Sequence, residues 1–191
     1  TNAQSRVLEE TLTREGLPYR MVGGMRFYER MEIKDLIAYL RLVVNPEDEW
    51  SLERVINVPK RGIGATSLER LKSYAAERQV SLYEALKEPE RAGLSGKAAR
   101  AAAQFAALIA ELRQMSEYLS ASEMIEEVLA RSGYRESLAQ QNTIEAEGRL
   151  ENIQEFISVA VEFEARNETR TLLDFLTELS LMTDLDTLEE Q

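Results

Sequence analysis

The sequence predicts a mainly α-helical fold that contains a helix-hairpin-helix-like element, with a short α/β piece at its N-terminus. Apolar residues recur at helical spacing along almost the whole chain, and patterns typical of helix N-termini precede several of these runs. Only one segment, near the N-terminus, has the composition of a strand. With 191 residues, 44% hydrophobic and 30% charged, the chain suits one globular domain with a fragment of a neighbour.

The N-terminal piece consists of a predicted helix followed by the predicted strand Pro18–Val22, which Gly23 and Gly24 end. One strand cannot form a sheet by itself, and nothing later in the sequence predicts a partner for it. We therefore expect the missing strands to come from outside this chain. Neither end of the sequence resembles a natural terminus, which also predicts an excerpt from a longer polypeptide.

The helix boundaries follow from apolar stripes, capping patterns and the glycines or prolines after them. Capping boxes are predicted at Thr66–Glu69, Ser81–Glu84 and Ser120–Glu123, and Gly133 is predicted to end the helix that the third one starts. In order, the predicted helices cover residues 31–44 and 50–56, then start at 66 and at 81, and then cover 97–119, 120–133, 144–164 and 172–181.

The composition excludes several kinds of site. The chain has no cysteine and no histidine, so disulfides, thiolate metal sites and the commonest general base are absent. The carboxylates are spaced along helix faces, as a solvated surface would have them, and we predict no catalytic residue and no metal site. Because no apolar run is long enough to span a bilayer, we expect a cytoplasmic protein with no membrane partner.

The charge is distributed unevenly along the chain. The net charge of −11 argues against nucleic acid as a partner, since phosphates would be repelled. However, residues 1–100 carry 17 Lys+Arg and 15 Asp+Glu, whereas residues 101–191 carry 6 and 19. Any phosphate contact is therefore expected in the first half, and the acidic half is predicted to be a solvated or partner-facing surface.

A candidate phosphate site lies at Lys60-Arg61-Gly62-Ile63-Gly64, between two predicted helices. Two glycines one residue apart let the backbone turn tightly and approach a ligand without a Cβ in the way. Amides at a helix N-terminus favour anions, and the lysine and arginine add mobile positive charge. The isoleucine can anchor the hairpin in the core. The alternative interpretation is a plain tight turn between two packed helices.

A second, weaker candidate is Gly93–Lys97, at the start of another predicted helix, where a backbone contact and a flexible capped loop are equally compatible with the residues. The same segment fails as a nucleotide-binding P-loop, because Arg91 stands where the first glycine is needed and Ala98 follows the lysine. We therefore expect no ATP hydrolysis by this chain alone. The predicted contacts to a duplex backbone are Lys60, Arg61, Gly62, Ile63, Gly64, Thr66, Gly96 and Lys97.

Three segments in order resemble motifs of the UvrD/PcrA/Rep family of superfamily 1 DNA helicases. TNAQSRVLEE is similar to the family's motif IVa, GGMRFYERMEIKDLIAYLRLVVNP to motif IVb, and INVPKRGIGATSLERL to motif IVc, which contains the hairpin discussed above. The later segments SGYRESL and EGRLENIQEF also look like the family. The resemblance spans nearly the whole chain.

In that family two RecA-like domains, 1A and 2A, carry helical insertions, 1B and 2B. The resemblance implies that residues 1–24 end a 2A segment, residues 25–181 form a 2B subdomain, and residues 182–191 return toward 2A. It also implies single-stranded DNA contacts at Asn2 and Arg6 and a hinge at Gly23 and Gly24. The fragment would hold no cofactor, while the parent would use ATP and Mg.

The function implied is an accessory, regulatory part of an ATP-dependent 3′–5′ DNA helicase in repair or replication. Its partners would be a junction between duplex and single-stranded DNA and the domains 1A, 1B and 2A. It would grip the duplex backbone without reading sequence and regulate unwinding by rotating. The alternative is a non-enzymatic docking domain, whose acidic half recruits repair or transcription proteins.

Overall fold

The architecture is known from a computed structural model that describes the backbone of residues 25–190 and the side chains of residues 26–183. This part of the chain is helical and contains no strand, which confirms the predicted mainly α-helical class. The predicted strand and the segment around it lie outside the described residues. The helices are α1 (Met25–Glu29), α2 (Met31–Val44), α3 (Glu49–Val55), α4 (Ala65–Arg78), α5 (Leu82–Leu86), α6 (Gly96–Met115), α7 (Ala121–Ser132), α8 (Tyr134–Gln141), α9 (Ile144–Arg166) and α10 (Leu172–Glu190).

Helix α2 lies at the centre of the fold and packs against α1, α3, α6, α7, α9 and α10. Its sequence explains this position, because apolar side chains occupy most of its circumference rather than one stripe. Ile33, Leu36, Tyr39, Leu40 and Leu42 are each inaccessible to solvent. A helix buried on several sides organises the core around itself, and Asn45 and Pro46 then end it as predicted.

Three phenylalanines join the two long C-terminal helices. Phe156 and Phe163 on α9 each make an edge-on contact with Phe175 on α10, with ring centroids 5.8 and 5.5 Å apart. These edge-to-face pairs and the area they bury stabilise the packing of α9 against α10, and both helices also contact α7.

Two buried carboxylates tie α2 to distant parts of the chain. Asp35 accepts hydrogen bonds from Arg54 Nε on α3 at 3.0 Å and from the Tyr134 hydroxyl on α8 at 2.7 Å. Burial, and then the neighbouring Asp35, raise the pKa of Tyr134 well above its usual value. Glu32 accepts a hydrogen bond from Asn152 on α9 at 2.7 Å. Glu32 therefore has a structural role, because it joins α2 to α9.

The predicted capping boxes have different outcomes. The Ser120 hydroxyl accepts from the Glu123 N–H while the Glu123 carboxylate accepts from the Ser120 N–H, which confirms that box. Half of the box predicted at Ser81 is present, because the Ser81 hydroxyl accepts from the Glu84 N–H while the Glu84 carboxylate pairs with Lys87. The box predicted at Thr66 is wrong, because α4 begins at Ala65 and its N-cap has no side chain that could accept a hydrogen bond.

This difference predicts opposite results for two similar substitutions. Ser120→Ala should lower the free energy of unfolding by about 1 kcal/mol, because it removes a bond to an otherwise unpaired helix N–H. Thr66→Ala should leave stability nearly unchanged, since that side chain is exposed and caps nothing. Urea unfolding followed by circular dichroism measures both. Equal losses for the two variants would contradict the assignment of the caps.

Other boundaries differ from the prediction in informative ways. Helix α6 ends at Met115 rather than at residue 119, because the chain turns before the Ser120 cap. Helix α10 continues to Glu190, nine residues beyond its predicted end. Gly133 ends α7 in the left-handed conformation, at φ +82°, as predicted, but it also starts α8, which the sequence pattern did not reveal.

Candidate nucleic-acid interface

The glycine-containing segment between α3 and α4, residues 57–64, is called the hairpin loop below. Gly62 has φ +95°, a conformation that favours glycine. Ile63 is 2% exposed and packs into the core, as predicted for an anchor. Gly64 is the N-cap of α4, with φ −84° and ψ −173°, and a Cβ on it would meet nothing within 4 Å. The loop therefore presents two exposed glycines on either side of a buried side chain.

Asn57 holds the backbone of the hairpin loop together. Its Oδ1 accepts hydrogen bonds from the N–H groups of Arg61, at 2.8 Å, and Ile63, at 3.2 Å. One side chain thus organises the backbone on both sides of Gly62. Asn57 was not among the predicted site residues, although an asparagine just after a helix end is a common signal for such a turn.

Arg61 is oriented into the protein. Its guanidinium donates hydrogen bonds to the carbonyl oxygens of Val55 and Ile56, at 2.8 and 2.6 Å, and to the Tyr39 hydroxyl at 2.9 Å. The same group lies over the Phe105 ring, 4.7 Å from its centroid. The prediction of a mobile cation at this position is therefore corrected, because the donors of Arg61 are used inside the fold.

The second candidate loop, residues 93–97, lies against the hairpin loop. A Cβ built on Gly62 would come within 3.1 Å of Lys97 Cε, so the aliphatic part of Lys97 covers that glycine. Gly93 and Gly96 both have positive φ, at +96° and +55°. The Arg70 guanidinium on α4 donates to the Gly93 carbonyl oxygen at 3.1 Å. Two segments that the sequence suggested separately thus form one surface where α4 and α6 begin.

The electrostatics of this surface differ from those of the other helix starts. Among the described helices of eight or more residues, only α4 and α6 have no acidic residue in the first turn. Neither has a hydrogen bond from an N-cap side chain. The first N–H groups of these two helices, with their partial positive charge, are therefore left for an external acceptor.

Exposed cations and polar groups surround these helix ends. Lys60, Thr66 and Lys97 are all exposed, and none of them makes a side-chain hydrogen bond or ion pair among the contacts of the described residues. Of the predicted duplex contacts, seven therefore lie in or beside this surface, and Arg61 lies behind it. Asn2, Arg6, Gly23 and Gly24 fall outside the described residues.

Among residues 26–183, no group of three or more Asp or Glu side chains is arranged to hold a metal ion. None of the helices in the described region has the length and apolarity required to cross a lipid bilayer.

Comparison with known proteins gives a family match over the whole chain. A family model described as the UvrD-like helicase C-terminal domain matches residues 1–191. The ATP-dependent DNA helicase PcrA of Bacillus subtilis is 52% identical over 191 residues, which are 100% of this chain and 26% of that protein. The corresponding helicase of Staphylococcus aureus is 49% identical over 188 residues, with 97% and 26% covered. The chain thus spans about a quarter of the length of the curated relatives it matches.

Proposed function

Because the chain belongs to the UvrD-like helicase C-terminal domain family, we propose that it is the accessory and regulatory part of an ATP-dependent 3′–5′ DNA helicase. In this proposal residues 25–181 form a helical subdomain that holds duplex DNA ahead of the junction with the single strand. The parent protein acts in repair or replication. ATP and Mg bind to its other domains, and the described helices carry out no catalytic step.

The observation that carries the proposal is that the candidate surface contains the starts of α4 and α6, and that neither start has an acidic side chain or a side-chain cap. The Lys97 side chain in the first turn of α6 lies over Gly62, two residues before the N-cap of α4, and the first turns of both helices lack acidic residues. A phosphate supplies the negative charge and the acceptor oxygens that these N–H groups need. Two neighbouring helix starts suit a phosphodiester backbone, which carries its charges at regular intervals.

The same geometry supports binding without sequence specificity. Backbone amides and the two lysines recognise phosphate oxygens, which are identical at every base pair. Gly64 leaves room for close approach, because a Cβ there would meet nothing within 4 Å, whereas Gly62 is covered by the side chain of Lys97. This surface is formed by loops and helix ends rather than by a helix face that could enter the major groove.

The regulatory part of the proposal concerns rotation of the whole subdomain. Residues 1–24 would belong to 2A and would end in a hinge at Gly23 and Gly24. At the other end of the subdomain, residues 182–191 would return to 2A. Asn2 and Arg6 would contact the single strand. In this arrangement the orientation of the subdomain decides whether the duplex is held in line with the motor.

The test is the salt dependence of duplex binding by the 191-residue chain and its single-lysine variants. Affinity falls as salt concentration rises, and each phosphate contact made by a lysine adds about 0.9 to the magnitude of the slope of log affinity against log salt concentration. Lys60→Ala and Lys97→Ala should each lower this slope by about that amount and weaken binding. Lys34→Ala is the matched control, because Lys34 is also exposed but lies on α2 outside this surface. Fluorescence anisotropy of a labelled duplex with a 3′ tail measures all four proteins.

The outcomes separate the two functional hypotheses. Slopes that fall for Lys60→Ala and Lys97→Ala but not for Lys34→Ala support the duplex grip. Equal effects of all three substitutions would mean general attraction without a site. If no variant and no parent protein binds the duplex, the docking alternative is favoured, with the acidic half of the chain as its surface.

A further inference from the structure

Arg61 lies where two helix C-termini converge. Its acceptors include the Val55 and Ile56 carbonyl oxygens at the end of α3 and the Ser132 carbonyl oxygen, 3.4 Å away, at the end of α7. Carbonyl groups at helix C-termini carry partial negative charge, so they stabilise a cation there. No carboxylate pairs with this guanidinium among the ion pairs of the described side chains. The charge of Arg61 is therefore compensated by helix ends inside the fold.

The remaining contacts fix the plane of the guanidinium. The Tyr39 hydroxyl accepts from Arg61 and donates to the Val58 carbonyl oxygen in the hairpin loop. The guanidinium also lies over the Phe105 ring on α6. Arg61 thus connects the central helix α2, the ends of α3 and α7, and the helix α6 whose first turn forms half of the candidate surface.

We infer that Arg61 is a positioning residue, which holds the hairpin loop in its phosphate-binding conformation and does not itself bind the DNA. This inference rests on the function proposed above. The backbone N–H of Arg61 is bonded to Asn57 and its side chain to α3, so both ends of the residue are held. The next residue, Gly62, then has its conformation set before any ligand arrives.

A lysine cannot replace Arg61 in this role. The guanidinium is a planar fork that reaches several acceptors at once and stacks on a ring, whereas an ammonium is a compact point charge on a flexible stem. Arg61→Lys therefore keeps the charge of the protein but loses the fork. Tyr39→Phe is a milder second variant, because it removes one acceptor of Arg61 and the bond from the same hydroxyl to Val58, and it leaves every charge in place.

The experiment combines nuclear magnetic resonance of the DNA-free chain with the duplex titration. In ¹⁵N–¹H spectra, Arg61→Lys and Tyr39→Phe should shift the amide signals of Gly62, Ile63 and Gly64. The control variant Lys60→Ala should leave the amide signal of Ile63 unshifted. Arg61→Lys should weaken duplex binding by about tenfold. Its log–log salt slope should stay equal to that of the parent, because no cation that contacts a phosphate is removed. Thermal unfolding shows whether each variant is folded.

The results that overturn the inference differ from those that overturn the proposed function. Unchanged hairpin amides in both folded variants would remove the positioning role. A fall in salt slope for Arg61→Lys, with unchanged amides, would instead make the guanidinium a phosphate ligand. If the parent chain fails to bind duplex, the proposed function is lost, and the amide shifts alone still decide whether Arg61 positions the loop. If Arg61→Lys does not fold, Tyr39→Phe decides by its amide shifts.

Discussion

Replacing Gly64 with aspartate is expected to weaken duplex binding about thirtyfold without destabilising the chain. The backbone of Gly64 has the extended conformation that an aspartate N-cap adopts, and a new side chain meets open space. The carboxylate would accept hydrogen bonds from the N–H groups in the first turn of α4 and raise the free energy of unfolding by roughly 0.3 kcal/mol. The same carboxylate would occupy the place of a phosphate and repel it, at a cost of about 2 kcal/mol in binding.

Gly64→Asn is the matched control for this prediction. Asparagine caps a helix about as well as aspartate and has the same shape, but it carries no charge. Binding should therefore fall much less for Gly64→Asn than for Gly64→Asp. Anisotropy titrations and urea unfolding of both variants give the comparison. If Gly64→Asp binds duplex like the parent, the start of α4 is not a phosphate site. Gly62 is a poorer position for this test, since its positive φ and its contact with Lys97 would strain any side chain.

Asp35→Ala is expected to produce the largest loss of stability, about 3 kcal/mol in the free energy of unfolding. The substitution leaves the Tyr134 hydroxyl and the Arg54 guanidinium without their acceptor in the interior. Removing the buried partner of an ion pair costs more than the pair contributes, because the remaining charge, here on Arg54 with 26% of its side chain exposed, stays partly desolvated. For a chain of this size, the loss corresponds to roughly 10 °C in Tm. Differential scanning calorimetry measures it directly.

Glu53→Ala provides the surface comparison for Asp35→Ala. Glu53 pairs with Lys72 at 3.2 Å, but about a third or more of each side chain is in water. Such exposed pairs contribute well under about 1 kcal/mol, so this variant should unfold almost like the parent. A loss for Asp35→Ala as small as that for Glu53→Ala would show that α2 is not held by its buried carboxylate.

The features predictable from sequence are those that depend on local patterns. The apolar period predicts α2, α6, α9 and α10, and the Ser120–Glu123 spacing predicts a cap, because each signal arises within one or two turns of helix. The hairpin loop is predicted for the same reason. Two glycines with a buried isoleucine between them leave the backbone of this short segment few alternative conformations. Its DNA contacts remain a prediction.

The features that sequence reasoning missed depend on residues far apart in the chain. Arg61 stands next to Lys60 and has the same charge, so no local pattern distinguishes a half-buried arginine bonded inside the fold from an exposed lysine. Its orientation depends on Tyr39, 22 residues away, and on Ser132, 71 residues away. The contact between Lys97 and Gly62 is equally invisible in a local pattern. Thr66 shows the opposite error. The spacing of Thr66 and Glu69 fits a capping box, but the helix already begins at Ala65, so Thr66 lies inside it and caps nothing.

The central position of α2 has a mechanical consequence. This one helix is joined to α3 and α8 through Asp35, to α9 through Glu32, and to the hairpin loop through Tyr39. Arg113 on α6 also donates to the carbonyl oxygens of Val43 and Val44 at its end. If the subdomain turns about its base as proposed, these bonds make it a stiff lever. A torque applied near α1 then reaches the hairpin loop with little lost to bending in between.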